Sequence, residues 1–194
     1  MIDFDAVVSL IGTGPVFRLV AIDGLPVSGK STLADRLETQ LGARVVYLDD
    51  FVRPELEWRG MAQPAFPFPY IRYDTFMETV ATLAAGRTAR YRRYDWASGR
   101  VGEAWTEVDA AGLVVIEGVS ALHPDLAQLY HLRLWVESDA ATMLDASLAR
   151  GVGAWEREWR ELFTPSVALY TASEPWRRAH YRVAGRGAAD QPRA

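Results

Sequence analysis

Short apolar, β-branched-rich runs recur along this chain, and several of them close on an acidic residue. Phe17–Ile22 ends at Asp23, Arg44–Leu48 at Asp49-Asp50, and Leu113–Ile116 at Glu117; Leu132–Val136 is a further run of the same kind. Unbroken apolar runs of this length predict parallel strands buried on both faces. Between them the period changes. Leu33, Leu37 and Leu41 recur every four residues with Asp35, Arg36 and Glu38 among them, predicting an amphipathic helix that Gly42 closes. Asp3–Leu10 carries a weaker helical pattern ended by Gly12, Gly14 and Pro15. Asp74–Ala85 predicts a helix stopped by Gly86, and Ala140–Ala149 predicts another. Ala89–Tyr94 and Val101–Val108 flank a turn near Ser98-Gly99 and predict a hairpin. Past Gly151 and Gly153 a Trp-rich helical stretch runs to about Ser173, and Tyr181–Val183 predicts a last short strand. Residues 51–72 show no period. Their Pro, Trp and Phe content predicts a long aromatic loop sized to a substrate rather than a linker.

Strands alternating with helices predict a mostly parallel sheet with helices on both faces. Ligands of such sheets sit beyond the carboxyl ends of the strands, where Asp23, Asp49-Asp50 and Glu117 all fall. Carboxylates gathered there are costly unless a divalent cation or a substrate hydroxyl meets them.

The segment after the first strand says what they would meet. Gly24-Leu25-Pro26-Val27-Ser28-Gly29-Lys30-Ser31 matches G-x-x-x-x-G-K-[ST], the phosphate-binding loop, between a strand and a helix as that motif requires. Lys30 is the only lysine in the chain; the other basic residues, of 21 in all, are arginines. Backbone N–H groups from Val27 through Ser28 and Gly29 to Ser31 are expected beneath the phosphates of ATP, with Gly24 forming the turn. Lys30 is expected on the β- and γ-phosphates, Ser31 on Mg²⁺ and Thr32 on the α-phosphate. The helix N-terminus adds its positive end. The fold expected is therefore the P-loop NTPase three-layer α/β sandwich, one domain over residues 1–184 with a lid near 150–160 and a disordered tail over 185–194.

Composition narrows the class. At 194 residues with 49% hydrophobic and 24% charged positions, the chain fits one soluble domain with a full core. A net charge of -4 argues against a nucleic-acid partner. There is no cysteine, the three histidines are scattered, the N-terminus lacks a basic signal-peptide start, and no apolar run would span a membrane. A cytoplasmic location is expected, with a homodimer open. A GTPase should carry N-K-x-D, and no second lysine exists to supply it, which makes that a poor reading. No L-S-G-G-Q-like signature is present, and the chain is short for an AAA module. A kinase for a small hydroxyl compound is left, with a non-catalytic ATP-binding regulator as the alternative.

The motifs also resemble a family. Ile22-Asp23-Gly24 through Thr32-Leu33-Ala34 resembles the P-loop of uridine kinases and their relatives, phosphoribulokinase and the bacterial pantothenate kinases. Tyr47-Leu48-Asp49-Asp50-Phe51 resembles the family's D-x-F element, Arg92-Arg93-Tyr94-Asp95-Trp96 its Y-D-[FW] segment, and Val115-Ile116-Glu117-Gly118-Val119 its V-x-E-G-[IV]. The resemblance runs from about Phe17 to Val183. It implies Asp49 as the base toward the acceptor hydroxyl, Glu117 at Mg²⁺ or the acceptor, and Tyr94 and Trp96 as a stacking wall. Asp74 is a further candidate for the acceptor's hydroxyls, and Arg150 and Arg157 are candidates for the lid charge. The chain departs from the family at two places. Ala97-Ser98-Gly99-Arg100 stands where uridine kinases carry a pyrimidine-reading His, and Arg150-Gly151-Val152-Gly153 stands where their lid has an R-R-D-like string.

Overall fold

The computed structural model describes residues 1–14, 18–139, 143–150 and 153–186, and for Met143, Leu144 and Arg150 the backbone alone. From the N-terminus the chain forms α1 (Phe4–Thr13), β1 (Leu19–Gly24), α2 (Lys30–Leu41), β2 (Arg44–Tyr47), a 3-10 turn (Leu48–Phe51) and α3 (Glu55–Trp58). It continues through α4 (Tyr73–Ala84), β3 (Ala89–Asp95), β4 (Arg100–Val108), β5 (Val114–Glu117), α5 (Pro124–Ala127) and β6 (Leu132–Glu137). It ends with α6 (Met143–Arg150), α7 (Glu156–Glu158), α8 (Thr164–Thr171) and β7 (Tyr181–Ala184). Helical backbone is unbroken from Glu156 to Thr171, with a π turn over Trp159–Phe163. Pro165 follows that turn and has no N–H to give to the preceding helical turn.

Five strands pair in the order β2-β5-β1-β6-β7, every pair parallel, and β3-β4 form a separate antiparallel hairpin. The sheet is central because its strands carry apolar residues on both faces, as the unbroken runs predict. Val20, Ile22, Val115 and Leu134 pack with Val7 of α1 and Leu33 and Leu37 of α2. Leu19, Ala21, Val46 and Ile116 face the other way, against Phe76 of α4 and Tyr170 of α8. The every-fourth-residue leucines of α2 are thus its core stripe, and Gly42 ends it at φ 65°, a left-handed cap.

Register sets the level of the site. Glu117 pairs with Ile22 of β1 and Tyr47 of β2, so the P-loop, the Asp49 turn and Glu117 all emerge at one edge. The expected aromatic loop is not detached from the core. Trp58, Phe68 and Ile71 are buried within it, and α3 interrupts it, a helix too short for periodicity to reveal. Phe17, Ala140, Gly151 and the expected tail from Gly187 to Ala194 lie outside the described residues. Gly185 and Arg186 are packed on the P-loop, with Arg186 N–H donating to the Ser28 carbonyl at 2.9 Å.

Candidate active site

The loop joining β1 to α2 has the backbone that its glycines and one strained valine allow. A Cβ on Gly24 would run into the Val136 carbonyl oxygen of β6, so only glycine fits there. Gly29 sits at φ 104° before the first turn of α2, and Val27 at φ 55°, a region that β-branched residues rarely occupy. Strain of this kind persists where surrounding structure fixes it, characteristically at ligand sites. Lys30 is only 6% exposed; its Nζ donates to the Leu25 carbonyl at 2.8 Å and stands 3.9 Å from Glu117 Oε1. Val27, Lys30 and Ser31 line a cavity of about 810 Å³. Ser28 and Gly24 are buried beneath the loop, while Thr32 is exposed and does not line the cavity.

The strand-end carboxylates part company. Asp49, on the 3-10 turn, lines the cavity and is exposed, as does the buried Glu117 at the end of β5. Asp50 turns away: it accepts from the Tyr91 hydroxyl at 3.1 Å and pairs with Arg93 at 3.2 Å. Burial pushes its carboxyl above the usual range against the pull of Arg93. Asp23 is wholly buried and points behind the P-loop, accepting from the N–H groups of Gly24, Ser120 and Leu122 and from the Tyr170 hydroxyl. Sequence position alone groups Asp23 with the site acids, whereas its hydrogen bonds make it a structural carboxylate.

Burial, with the charges of Asp49, Asp23 and Asp35 beside it and against the opposing pull of Lys30, pushes Glu117 up to about 7. The folded protein therefore holds this proton where the unfolded chain releases it near 4.5. Where the folded state binds more protons, stability falls as pH rises. Between pH about 4.5 and 7, the ligand-free protein should lose roughly 2–3 kcal/mol through this group alone. Urea unfolding at pH 5 and pH 7 checks this: the drop seen in wild type should shrink by that amount in Glu117→Gln. An identical pH dependence in both proteins would contradict the assignment. A divalent cation beside Glu117 would reverse the effect by stabilising the ionised carboxylate.

The wall of the cavity away from the P-loop is aromatic, with Trp58, Trp96, Trp155, Trp159, Phe163 and Tyr70 among its residues. Trp96 is half exposed there, and Trp155 lies 5.6 Å from it, centroid to centroid. Tyr94 is buried in the core and does not line the cavity; it meets Trp96 edge-on at 4.9 Å and braces it. Asp74, exposed in the first turn of α4, is not at the cavity. Arg157 is exposed and pairs with Glu161 at 2.8 Å; the Arg150 side chain lies outside the described part. The bases that do line the cavity, among the described residues, are Lys30 and Arg59. Arg59 and Glu55 are missed by sequence reasoning because their i,i+4 spacing is buried in a stretch with no readable period.

Compared with models of known protein families, the chain matches none. It is 25% identical over 167 residues to the curated uridine kinase of Mycoplasma pneumoniae, covering 78% of both chains. A solved possible uridine kinase from Bacillus stearothermophilus superposes with a TM-score of 0.72 at 18% identity, over 93% of this chain and 96% of that one. The D-glycerate 3-kinase of Cryptococcus neoformans gives a TM-score of 0.52 at 13% identity, over 97% and 90%. The chain is thus similar to a curated uridine kinase over most of its length, and it shares the fold of the solved structure, a mostly parallel sheet with helices on both faces.

Proposed function

We propose that this protein is an ATP-dependent kinase that phosphorylates a hydroxyl group of a small molecule. Residues 1–184 would form one kinase domain, with a cytoplasmic setting. The observation that carries the reading is convergence: Lys30, Ser31, Asp49 and Glu117, held by the ends of β1, β2 and β5, line one cavity with an aromatic far wall. The loop suits a triphosphate because residues at positive φ lead into the N-terminus of α2, next to a buried ammonium.

Lys30 would hold the β- and γ-phosphates over the N–H groups of Val27 to Ser31, with Thr32 at the α-phosphate. Ser31 and Glu117 would hold Mg²⁺, which neutralises phosphate charge when bound. No three His, Cys, Asp or Glu side chains converge among the described residues, so the ion's other partners would be phosphate oxygens and water. Asp49 would orient the acceptor hydroxyl and take its proton as the new O–P bond forms and the bond to ADP breaks. Trp96 would flank the acceptor, with Tyr94 acting through it. Arg150 and Arg157 would bring charge to the transferred phosphoryl group when the lid closes; the Arg157–Glu161 pair is an exposed one and holds little back.

The test is ADP release with Mg-ATP against nucleosides, pantothenate, sugars and other small alcohols. At least one should stimulate turnover, and Asp49→Asn should lower that turnover by about 10²- to 10⁴-fold with ATP affinity unchanged. Tight ATP binding with no stimulation by any acceptor would instead support the non-catalytic regulator. Wild-type turnover in Asp49→Asn would remove Asp49 as the base.

A further inference from the structure

Among the described residues, Glu55 is the one carboxylate at the cavity that neither the P-loop nor the strand ends account for. It sits at the start of α3, where its N–H donates to the Gly99 carbonyl of the hairpin turn at 2.8 Å. Its Oε1 accepts from Trp155 Nε1 at 3.2 Å and from Arg59 Nη1. Gly99 beside it sits at φ 67°, which favours glycine, and its Cα lies close against the Glu55 side chain. Hydrogen bonding from Arg59 holds the Glu55 carboxyl below its usual range, so it is ionised at neutral pH. Arg59 divides its contacts among three neighbours. It also donates to the Ala154 carbonyl at 3.1 Å and stands 3.9 Å from the buried Glu158.

We infer that Glu55 is a specificity-determining residue that selects acceptors without negative charge, carrying hydroxyl or N–H donors on a flat or apolar body. A carboxylate only accepts hydrogen bonds, so its complement on the ligand is a donor. The neighbouring faces of Trp96 and Trp155 suit a flat or apolar group. An acceptor bearing a carboxylate or phosphate would meet the Glu55 charge in a partly desolvated cavity. The arginine beside it already shares its charge between Glu55 and Glu158, so the acids outweigh it locally, and like charges there are disfavoured. The acids lining the cavity, Asp49, Glu55 and Glu117, also outnumber its described bases, Lys30 and Arg59.

This inference rests on the kinase reading only in calling the ligand an acceptor, and equilibrium binding tests it without any transfer. Quenching of tryptophan fluorescence would be followed in the presence of a non-hydrolysable Mg-ATP analogue. The probes are two matched pairs that differ by a carboxylate: uridine with orotidine, and pyridoxine with 4-pyridoxate. At least one uncharged member should bind about tenfold or more tighter than its charged partner. Glu55→Gln keeps an oxygen for Trp155 and should bring that ratio towards one with nucleotide affinity intact. Glu55→Asp keeps the charge and should preserve the ratio even if both affinities fall. Equal binding of both members, a ratio untouched by Glu55→Gln, or no binding by either uncharged member would overturn the inference. Charge-selective binding without any ADP release would sink the kinase reading and leave the role of Glu55 standing.

Discussion

Lys30→Ala is expected to lower kcat for phosphoryl transfer by about 10²- to 10³-fold, the loss typical of removing one preorganised charge-stabilising group. The ammonium is nearly inaccessible, and its contacts in the protein are the Leu25 carbonyl and Glu117. It is thus held at the mouth of the loop before a nucleotide arrives, and little reorganisation is needed at the moment of transfer. ATP affinity should fall less than kcat, because the backbone N–H groups from Val27 to Ser31 are unaffected. The protein should stay folded. Without Lys30, Glu117 loses the opposing charge that pulls its titration down, and it protonates rather than sitting buried as an unpaired ion. The pH-dependent loss of stability assigned to Glu117 should therefore move to higher pH in Lys30→Ala. Steady-state kinetics with a stimulating acceptor, together with urea unfolding across pH, gives both readouts. Turnover within tenfold of wild type would show that this lysine does not carry the phosphate charge.

What the sequence made legible follows from how local each signal is. The P-loop is contiguous, its glycines answer to backbone geometry at Gly24 and Gly29, and its lysine stands alone among arginines; nothing distant is needed to read it. The parallel strands were equally open to inspection, because burial on both faces leaves unbroken apolar runs. The acceptor half was not. Glu55, Arg59 and Trp155 meet only because α3 and the segment before α7 fold onto each other across about a hundred residues of chain, and no local pattern in either segment points to the other. Tyr94 and Trp96 illustrate a related limit. They are two residues apart on one edge of the hairpin, yet Tyr94 is buried as a brace while Trp96 lines the cavity. Asp23 and Asp49 both follow strands, and only the three-dimensional supply of donors separates the structural acid from the one at the cavity.

Asp23→Ala is expected to destabilise the fold by about 4 kcal/mol, because four donors would be left in a buried space at about 1 kcal/mol or more each. Oδ1 takes the N–H groups of Gly24 and Ser120, the latter at 3.0 Å; Oδ2 takes Leu122 N–H at 2.8 Å and the Tyr170 hydroxyl. These donors come from the P-loop, from the turn that follows Glu117, and from α8. A single carboxylate therefore ties together the loop that would hold phosphate, the strand end that presents Glu117, and α8, whose Tyr170 is part of the core. Ser120 is itself held at φ 86°, and its hydroxyl meets that of Tyr73 at 2.6 Å, so this turn is strained and depends on Asp23 to persist. Asp23→Asn should cost less, about 1–2 kcal/mol. The amide oxygen can keep two donors, Tyr170 can rotate its hydroxyl to accept, and only the Leu122 N–H then faces another donor. Urea unfolding gives the comparison, with the slope expected to stay constant while the midpoint falls further in Asp23→Ala than in Asp23→Asn. Transfer activity should fall in the same order even below the unfolding transition, since Glu117 and the P-loop lose their common anchor. Midpoints that coincide with wild type would mean that this buried network does not hold the site together.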